Sequence, residues 1–224
     1  VASRGLGDVY KRQHPRRIDD RDSRLATLAD WWEDTLSGMD HTPILTPDTA
    51  PAHNDSSGDR QDAAGVVRVD FDRDIRDRLR SLTGDHITEF TLLHTLLAAT
   101  LRHHDARPEV QIDGAVSDVV IGTPVSGRSD PRLADIVGMF VNSVVLRTPV
   151  DGKVTFGRLL DQVRDRDLDA LVHADMPFEY LVARLNPPRT GRHPLFSIAL
   201  AADASMRDGA TDLPLPHLTG LEVS

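Results

Sequence analysis

Short apolar runs alternate with amphipathic helical patterns along this chain, and the alternation restricts its fold more than any other feature. Residues 119–125, 139–146 and 195–200 are nearly continuous apolar runs, which is typical of strands covered on both faces. A run at 67–71 alternates apolar and charged residues instead, which predicts a half-buried strand. Because helical patterns lie between these runs, the sequence predicts an α/β fold.

Five segments have the spacing of amphipathic helices: 25–36, 73–83, 89–101, 156–172 and a shorter one that follows Asp175 and has Pro177 in its first turn. Each is preceded by a residue that can cap a helix N-terminus: Ser23, Asp72, Thr88, Thr155 and Asp175. In the third segment Phe90, Leu93, Leu97 and Leu101 share one face, with further leucines beside them. So wide an apolar surface predicts burial on more than one side.

Composition excludes several classes of protein. The 224 residues include no cysteine, which excludes disulfides, thiolate nucleophiles and Cys-based metal sites. The net charge of −9 argues against nucleic-acid binding, which needs a cationic surface. No apolar run reaches the roughly 18 residues of a membrane span, and the N-terminus has no apolar signal core. We therefore expect a cytoplasmic protein that binds neither membrane nor nucleic acid.

The generic catalytic and metal-binding motifs assign no function. His103 and His104 are adjacent, but they lie at the polar C-terminal end of the third helix, where imidazolium groups favour the helix dipole. The sequence contains no H-E-x-x-H zinc motif, no phosphate-binding G-x-x-x-x-G-K-[ST] loop and no G-x-S-x-G elbow. We predict no metal site, and we interpret the two histidines as surface residues at the end of a helix.

Four longer motifs follow one another in order. They are Ile121-Gly-Thr-Pro-Val-Ser-Gly-Arg128, Val137-Gly-Met-Phe-Val-Asn-Ser-Val-Val-Leu-Arg147, His173-Ala-Asp-Met-Pro-Phe-Glu-Tyr-Leu-Val182 and Arg192-His-Pro-Leu-Phe-Ser197. Together they resemble the condensation domain of nonribosomal peptide synthetases, in the superfamily named for chloramphenicol acetyltransferase. The resemblance covers residues 22–203 and includes the Trp31–Trp32 helix. It implies a two-lobe fold in which each lobe is a mixed sheet flanked by helices, with a tunnel at the junction.

The resemblance also implies a reaction and a set of partners. Upstream and downstream peptidyl carrier domains deliver a donor and an acceptor on phosphopantetheine arms, next to an adenylation domain. The acceptor amine attacks the donor thioester, which gives an amide and a free thiol. The domain itself binds no cofactor. Relatives with the same motifs form esters, epimerise or cyclise, and a non-catalytic module that recruits a partner enzyme is a further alternative.

The catalytic signature of that family, H-H-x-x-x-D-G, is missing from this sequence. Its aspartate would fall five residues after His103, where the chain has Pro108. We therefore expect a C-terminal lobe that is inactive without its N-terminal lobe. We expect residues 1–21 to be a disordered, non-native tail and 22–64 to be the inter-lobe helix and linker. The lobe itself is expected at 65–203, and an extended, truncated tail at 204–224.

No catalytic residue is predicted in this half, but six residues are predicted at the substrate tunnel or lobe interface: Gly122, Pro124, Ser126, Arg128, Asn142 and Ser143. Glycine at 122 permits close backbone approach. The Arg128 side chain either clamps a carboxylate across the interface or forms a structural ion pair. The amide of Asn142 either satisfies nearby backbone or faces the tunnel, while Met139 and Phe140 are predicted to be core residues.

Overall fold

The computed structural model describes residues 24–42, 44–45, 67, 69, 72–83, 86–105, 107, 115–128, 130–133, 135–189 and 193–202. The elements in chain order are α1 (Arg24–Leu36), α2 (Arg73–Thr83), α3 (Glu89–His104), β1 (Val116–Val125), a 3-10 turn (Pro131–Leu133), β2 (Asn142–Asp151), α4 (Phe156–Val172) and α5 (Phe178–Leu185). The predicted α/β class is confirmed. The expected tails at 1–21 and 204–224, Ser23, Arg192 and most of the linker lie outside the described residues.

Three of the predicted helix caps are confirmed. Each side chain accepts a hydrogen bond from the backbone N–H three residues later: Asp72 at 2.8 Å, Thr88 at 3.1 Å and Thr155 at 3.4 Å. The prediction that Asp175 caps the last helix is wrong, because Pro177 occupies that position and makes no side-chain cap bond. The carboxylate of Asp175 pairs with Arg24 instead.

The sheet is built around an antiparallel hairpin. β1 and β2 pair from Val116–Asp151 to Val125–Asn142. The apolar run at 195–200 adds a single parallel bridge, between Gly122 and Ala199, so the pairing is mixed. A full strand was predicted there, but the run meets β1 only where the N–H of Gly122 donates to Ile198 O and its carbonyl accepts from Leu200.

A strand was predicted at 67–71, and the structure describes two of these five residues. The prediction is wrong for those two. Val67 and Val69 lie outside any strand, and they are 88% and 68% exposed. An extended segment becomes a strand only when its backbone groups pair with a neighbour. Among the described residues, the pairs of the sheet join only β1, β2 and Ala199.

The core consists of two apolar clusters. Val119 and Ile121 of β1 belong to the cluster formed with α3 and α4, whereas Val120 packs against the one formed with α1, β2 and α5. Side chains alternate in this way along a strand that is covered on both faces. The buried surface of α3 is wide, as predicted, but it centres on Thr95 and Ala98. In the part of the chain described, no helix is long and apolar enough to cross a membrane.

Candidate functional site

Five of the six predicted site residues lie at or next to the end of the β1–β2 hairpin where the connection joins the two strands: Pro124, Ser126, Arg128, Asn142 and Ser143. Pro124 is paired with Ser143, and both Pro124 and Ser126 are exposed. The sixth residue, Gly122, lies two positions deeper in β1 and is buried. Regular strand pairing therefore brings together residues that are about twenty positions apart in the sequence.

Arg128 pins the connection between β1 and β2, residues 126–141. Its guanidinium donates to the carbonyls of Leu133 and Gly138, the latter at 2.9 Å, and lies 4.4 Å from the centre of the Phe140 ring. Gly127 has φ +64°, and a Cβ there would lie 2.0 Å from the Phe140 carbonyl oxygen. Among the residues described, the partners of the Arg128 guanidinium are backbone carbonyls and an aromatic ring.

The pinned connection presents an apolar surface, which we call the apolar rim: Ile136, Val137, Met139 and Val141. Val137 is fully exposed and Met139 is 71% exposed, so the prediction that Met139 belongs to the core is wrong. Phe140 is half-buried beneath Arg128. Four exposed apolar side chains so close together in the sequence make this segment a candidate contact surface.

The carboxamide of Asn142 ties the hairpin end to the turn between α4 and α5. Its Nδ2 donates to the carbonyls of Ala174 and Met176, at 2.9 and 2.7 Å. Its Oδ1 accepts from the N–H of Phe178 at 3.1 Å and so caps α5. These three bonds agree with the structural alternative for Asn142, and they supply the cap that Asp175 does not.

Gly122 lies directly beneath an aromatic cluster. A Cβ at this position would lie 2.2 Å from the ring of Phe196. That ring packs against His193 and Phe178, with centroids 3.9 and 5.8 Å away. Burial lowers the pKa of His193 and outweighs a hydrogen bond with the Phe196 backbone, which raises it. The close approach predicted for Gly122 is thus made by a side chain of this same chain.

The structure describes several further histidines outside this cluster. His103 and His104 are exposed at the end of α3, as predicted. Within the described part of the chain, no group of three or more His, Asp or Glu side chains is placed to hold a metal ion. The sequence analysis missed His94, which is fully buried and whose Nδ1 lies 2.8 Å from Oδ1 of the buried Asp167.

The family model of the Condensation domain matches residues 17–212 of this chain. The chain is a member of the condensation domain family. The predicted resemblance to the condensation domains of nonribosomal peptide synthetases is therefore confirmed.

Curated relatives of this condensation domain are much longer proteins. The nonribosomal peptide synthetase CymA of Salinispora arenicola is 38% identical over 183 residues, which cover 81% of this chain and 2% of CymA. A dimodular nonribosomal peptide synthase of Bacillus subtilis is 36% identical over 186 residues, 82% of this chain and 7% of that protein. The chain therefore spans only a small part of each relative.

Solved structures show the same fold. The X-domain from teicoplanin biosynthesis superposes with a TM-score of 0.70 at 24% identity, over 86% of this chain and 40% of that one. The condensation domain of the monacolin K polyketide synthase MokA gives a TM-score of 0.56 at 19% identity, over 85% of this chain and 43% of that one. This is the chloramphenicol acetyltransferase-like fold that the sequence predicted.

Proposed function

We propose that this chain is the C-terminal lobe of a two-lobe condensation domain that forms amide bonds in a nonribosomal peptide synthetase. The amine of a carrier-bound acceptor attacks the carrier-bound donor thioester. The new C–N bond replaces the C–S bond, the amine loses a proton and the thiol leaves on the donor's phosphopantetheine. Phosphopantetheine belongs to the carrier domains, which are the proposed partners together with a neighbouring adenylation domain.

The observation that carries this proposal is the share of the related structures that the chain covers. It superposes on 40% of the teicoplanin X-domain and 43% of the MokA condensation domain, shares that support assigning the chain to one of two lobes. The sequence also lacks H-H-x-x-x-D-G. Because a general base must lie within hydrogen-bond reach of the proton it accepts, we assign the catalytic histidine to the N-terminal lobe.

The proposed contribution of this lobe is a rigid wall of the tunnel. Arg128 and Gly127 fix the connection that holds the apolar rim, and Asn142 fixes the hairpin end below it. We propose that the rim packs against the N-terminal lobe. Pro124, Ser126 and Ser143 then lie along the junction where the two carrier arms meet.

Extending the reading frame upstream by about one lobe tests the assignment. Both the extended protein and the present chain would be incubated with loaded donor and acceptor carriers, and products identified by mass spectrometry. We expect amide product from the extended protein only, and its loss when the second histidine of an upstream H-H-x-x-x-D-G is changed to alanine. An ester or a cyclised product would support the alternative that this is an ester-forming or cyclising relative. A degenerate H-H-x-x-x-D-G motif upstream would support a non-catalytic module that recruits a partner enzyme.

Product formed by the present chain alone, and abolished by His104→Ala, would contradict the proposal.

The predicted interface has its own test, in which the N-terminal lobe is produced separately and titrated with this chain. Val137→Asp should weaken the association about tenfold, equivalent to ~1.4 kcal/mol. Leu168→Asp, on the exposed side of α4, is the control. Equal binding by the two variants would place the interface elsewhere.

A further inference from the structure

The segment that follows α1 is anchored to the lobe at three points. We call it the strap; its described residues are Met39, Asp40, His41, Thr42 and Ile44. Met39 is buried in the cluster that contains Trp32, and Ile44 is buried in the cluster formed by α3, α4 and β1. The buried side chains of Met39 and Ile44 therefore hold the two ends of the strap, and a polar contact holds it between them.

The polar contact joins Asp40 to Arg107. Oδ1 of Asp40 accepts from the Thr42 N–H at 2.8 Å, and Oδ2 accepts from Nη1 of Arg107 at 2.5 Å. Burial raises the pKa of Asp40, but the bonds from Thr42 and Arg107 outweigh it and leave that pKa below its usual value. The carboxylate is therefore ionised at neutral pH.

Arg107 is itself held rigidly before it reaches the strap. Its Nε and Nη2 donate to the fully buried carboxylate of Asp105, at 2.8 and 2.6 Å. The Ser117 hydroxyl donates to the same carboxylate at 2.5 Å. Arg107 thus belongs to a preformed network at the start of β1, and the strap adds only the contact through Asp40.

The strap lies beside β1. Asp40, His41, Thr42 and Ile44 face Asp118 and Val120 of β1, and the 194–198 run, across a shared pocket. A strand edge left open is a template for pairing with another chain, and proteins commonly cover such edges with a loop. A strap held in place here would protect the part of β1 that precedes its bridge to Ala199.

We propose that Asp40 and Arg107 form a clasp that keeps the strap closed over the edge of β1, and that the clasp opens locally while the rest of the lobe stays folded. Local opening is expected because the strap contributes only the carboxylate of Asp40, which is partly exposed. Its partner Arg107 is buried and stays bound to the buried Asp105. The inference concerns this chain alone and does not depend on the proposed catalytic role.

Asp40→Asn is the informative variant, since asparagine can keep the bond to Thr42 while the charge toward Arg107 is lost. The sequence supplies a matched control in Asp130→Asn. The Asp130 side chain is 36% exposed, as that of Asp40 is, and it also pairs with an arginine, but Arg132 is itself 88% exposed. Hydrogen exchange would be followed by mass spectrometry on peptides covering residues 39–45 and α4, with thermal melting measured on the same samples.

We expect Asp40→Asn to speed exchange at 39–45 about tenfold, as the loss of one charge-assisted hydrogen bond predicts. Exchange in α4 should stay unchanged, and Asp130→Asn should match the unmodified chain at both places. Equal exchange at 39–45 in the two variants would overturn the clasp. A similar acceleration in the strap and in α4 would overturn local opening, because it would mean that the whole lobe is destabilised.

Discussion

Replacing Asn142 by alanine removes three hydrogen bonds between β2 and the α4–α5 turn. The carbonyls of Ala174 and Met176 lose their donor, and the first N–H of α5, that of Phe178, loses its acceptor. Alanine is smaller and can make none of these contacts. The substitution therefore separates the two alternatives for Asn142, a structural tie or a tunnel-lining group.

The expected cost follows from the number of bonds and their burial. At roughly 1 kcal/mol each, and with the side chain only half-buried, three bonds give about 2–3 kcal/mol in the free energy of unfolding. For a chain of this size, each kcal/mol lowers the melting temperature by about 2–4 °C, so we expect a fall of about 4–12 °C.

Thermal melting followed by circular dichroism measures this difference. Ser143→Ala is the control, since Ser143 is the next residue along β2 and is equally half-buried. Asn142→Asp should cost at least as much as alanine, because a carboxylate cannot donate to two carbonyls and would face their negative ends. If Asn142→Ala melts at the temperature of Ser143→Ala, the structural tie is refuted. The tunnel role of Asn142 would then be tested by the turnover of a complete domain that carries Asn142→Ala, which should fall.

Two further substitutions test the packing. Gly122→Ala should destabilise the chain by about 1–3 kcal/mol, because its Cβ would overlap the wedged ring of Phe196; Gly157→Ala in α4, where a Cβ has open space, should not. In urea unfolding, His94→Leu should cost about 3–5 kcal/mol by leaving Asp167 buried and unpaired, whereas His94→Leu with Asp167→Leu should recover most of it. A double variant as unstable as the single would contradict a purely paired role.

Local signals predicted the five helices and the two strands of the hairpin. Asp72, Thr88 and Thr155 were found as caps because a cap and the N–H that it accepts are three residues apart. The apolar runs located most of β1 and half of β2 for a similar reason, since a covered strand needs apolar residues on both faces. Order along the chain then sufficed to recognise the family.

Contacts between distant segments could not be predicted in this way. The amide that caps α5 comes from Asn142, 36 positions earlier than Phe178, while a nearer acidic residue, Asp175, looked suitable. Arg128 binds backbone carbonyls, which every residue has, so no sequence pattern marks its partners. Met139 was predicted to be a core residue because it lies in an apolar motif. The structure places it in the connection between β1 and β2, where its side chain is exposed.

The pair His94 and Asp167 shows most clearly where sequence reasoning ends. α4 carries aspartates at 161, 165, 167 and 169, and only Asp167 is buried. Helical spacing alone sets it apart, since it is four residues beyond the buried Val163. An aspartate on an apolar face is nevertheless unusual unless its carboxylate has a hydrogen-bond partner. That partner lies in α3, 73 positions away, and is itself ordinary in sequence. Because a buried pair of this kind gives little net stability over apolar residues, we infer that its benefit is to fix the register of α3 against α4.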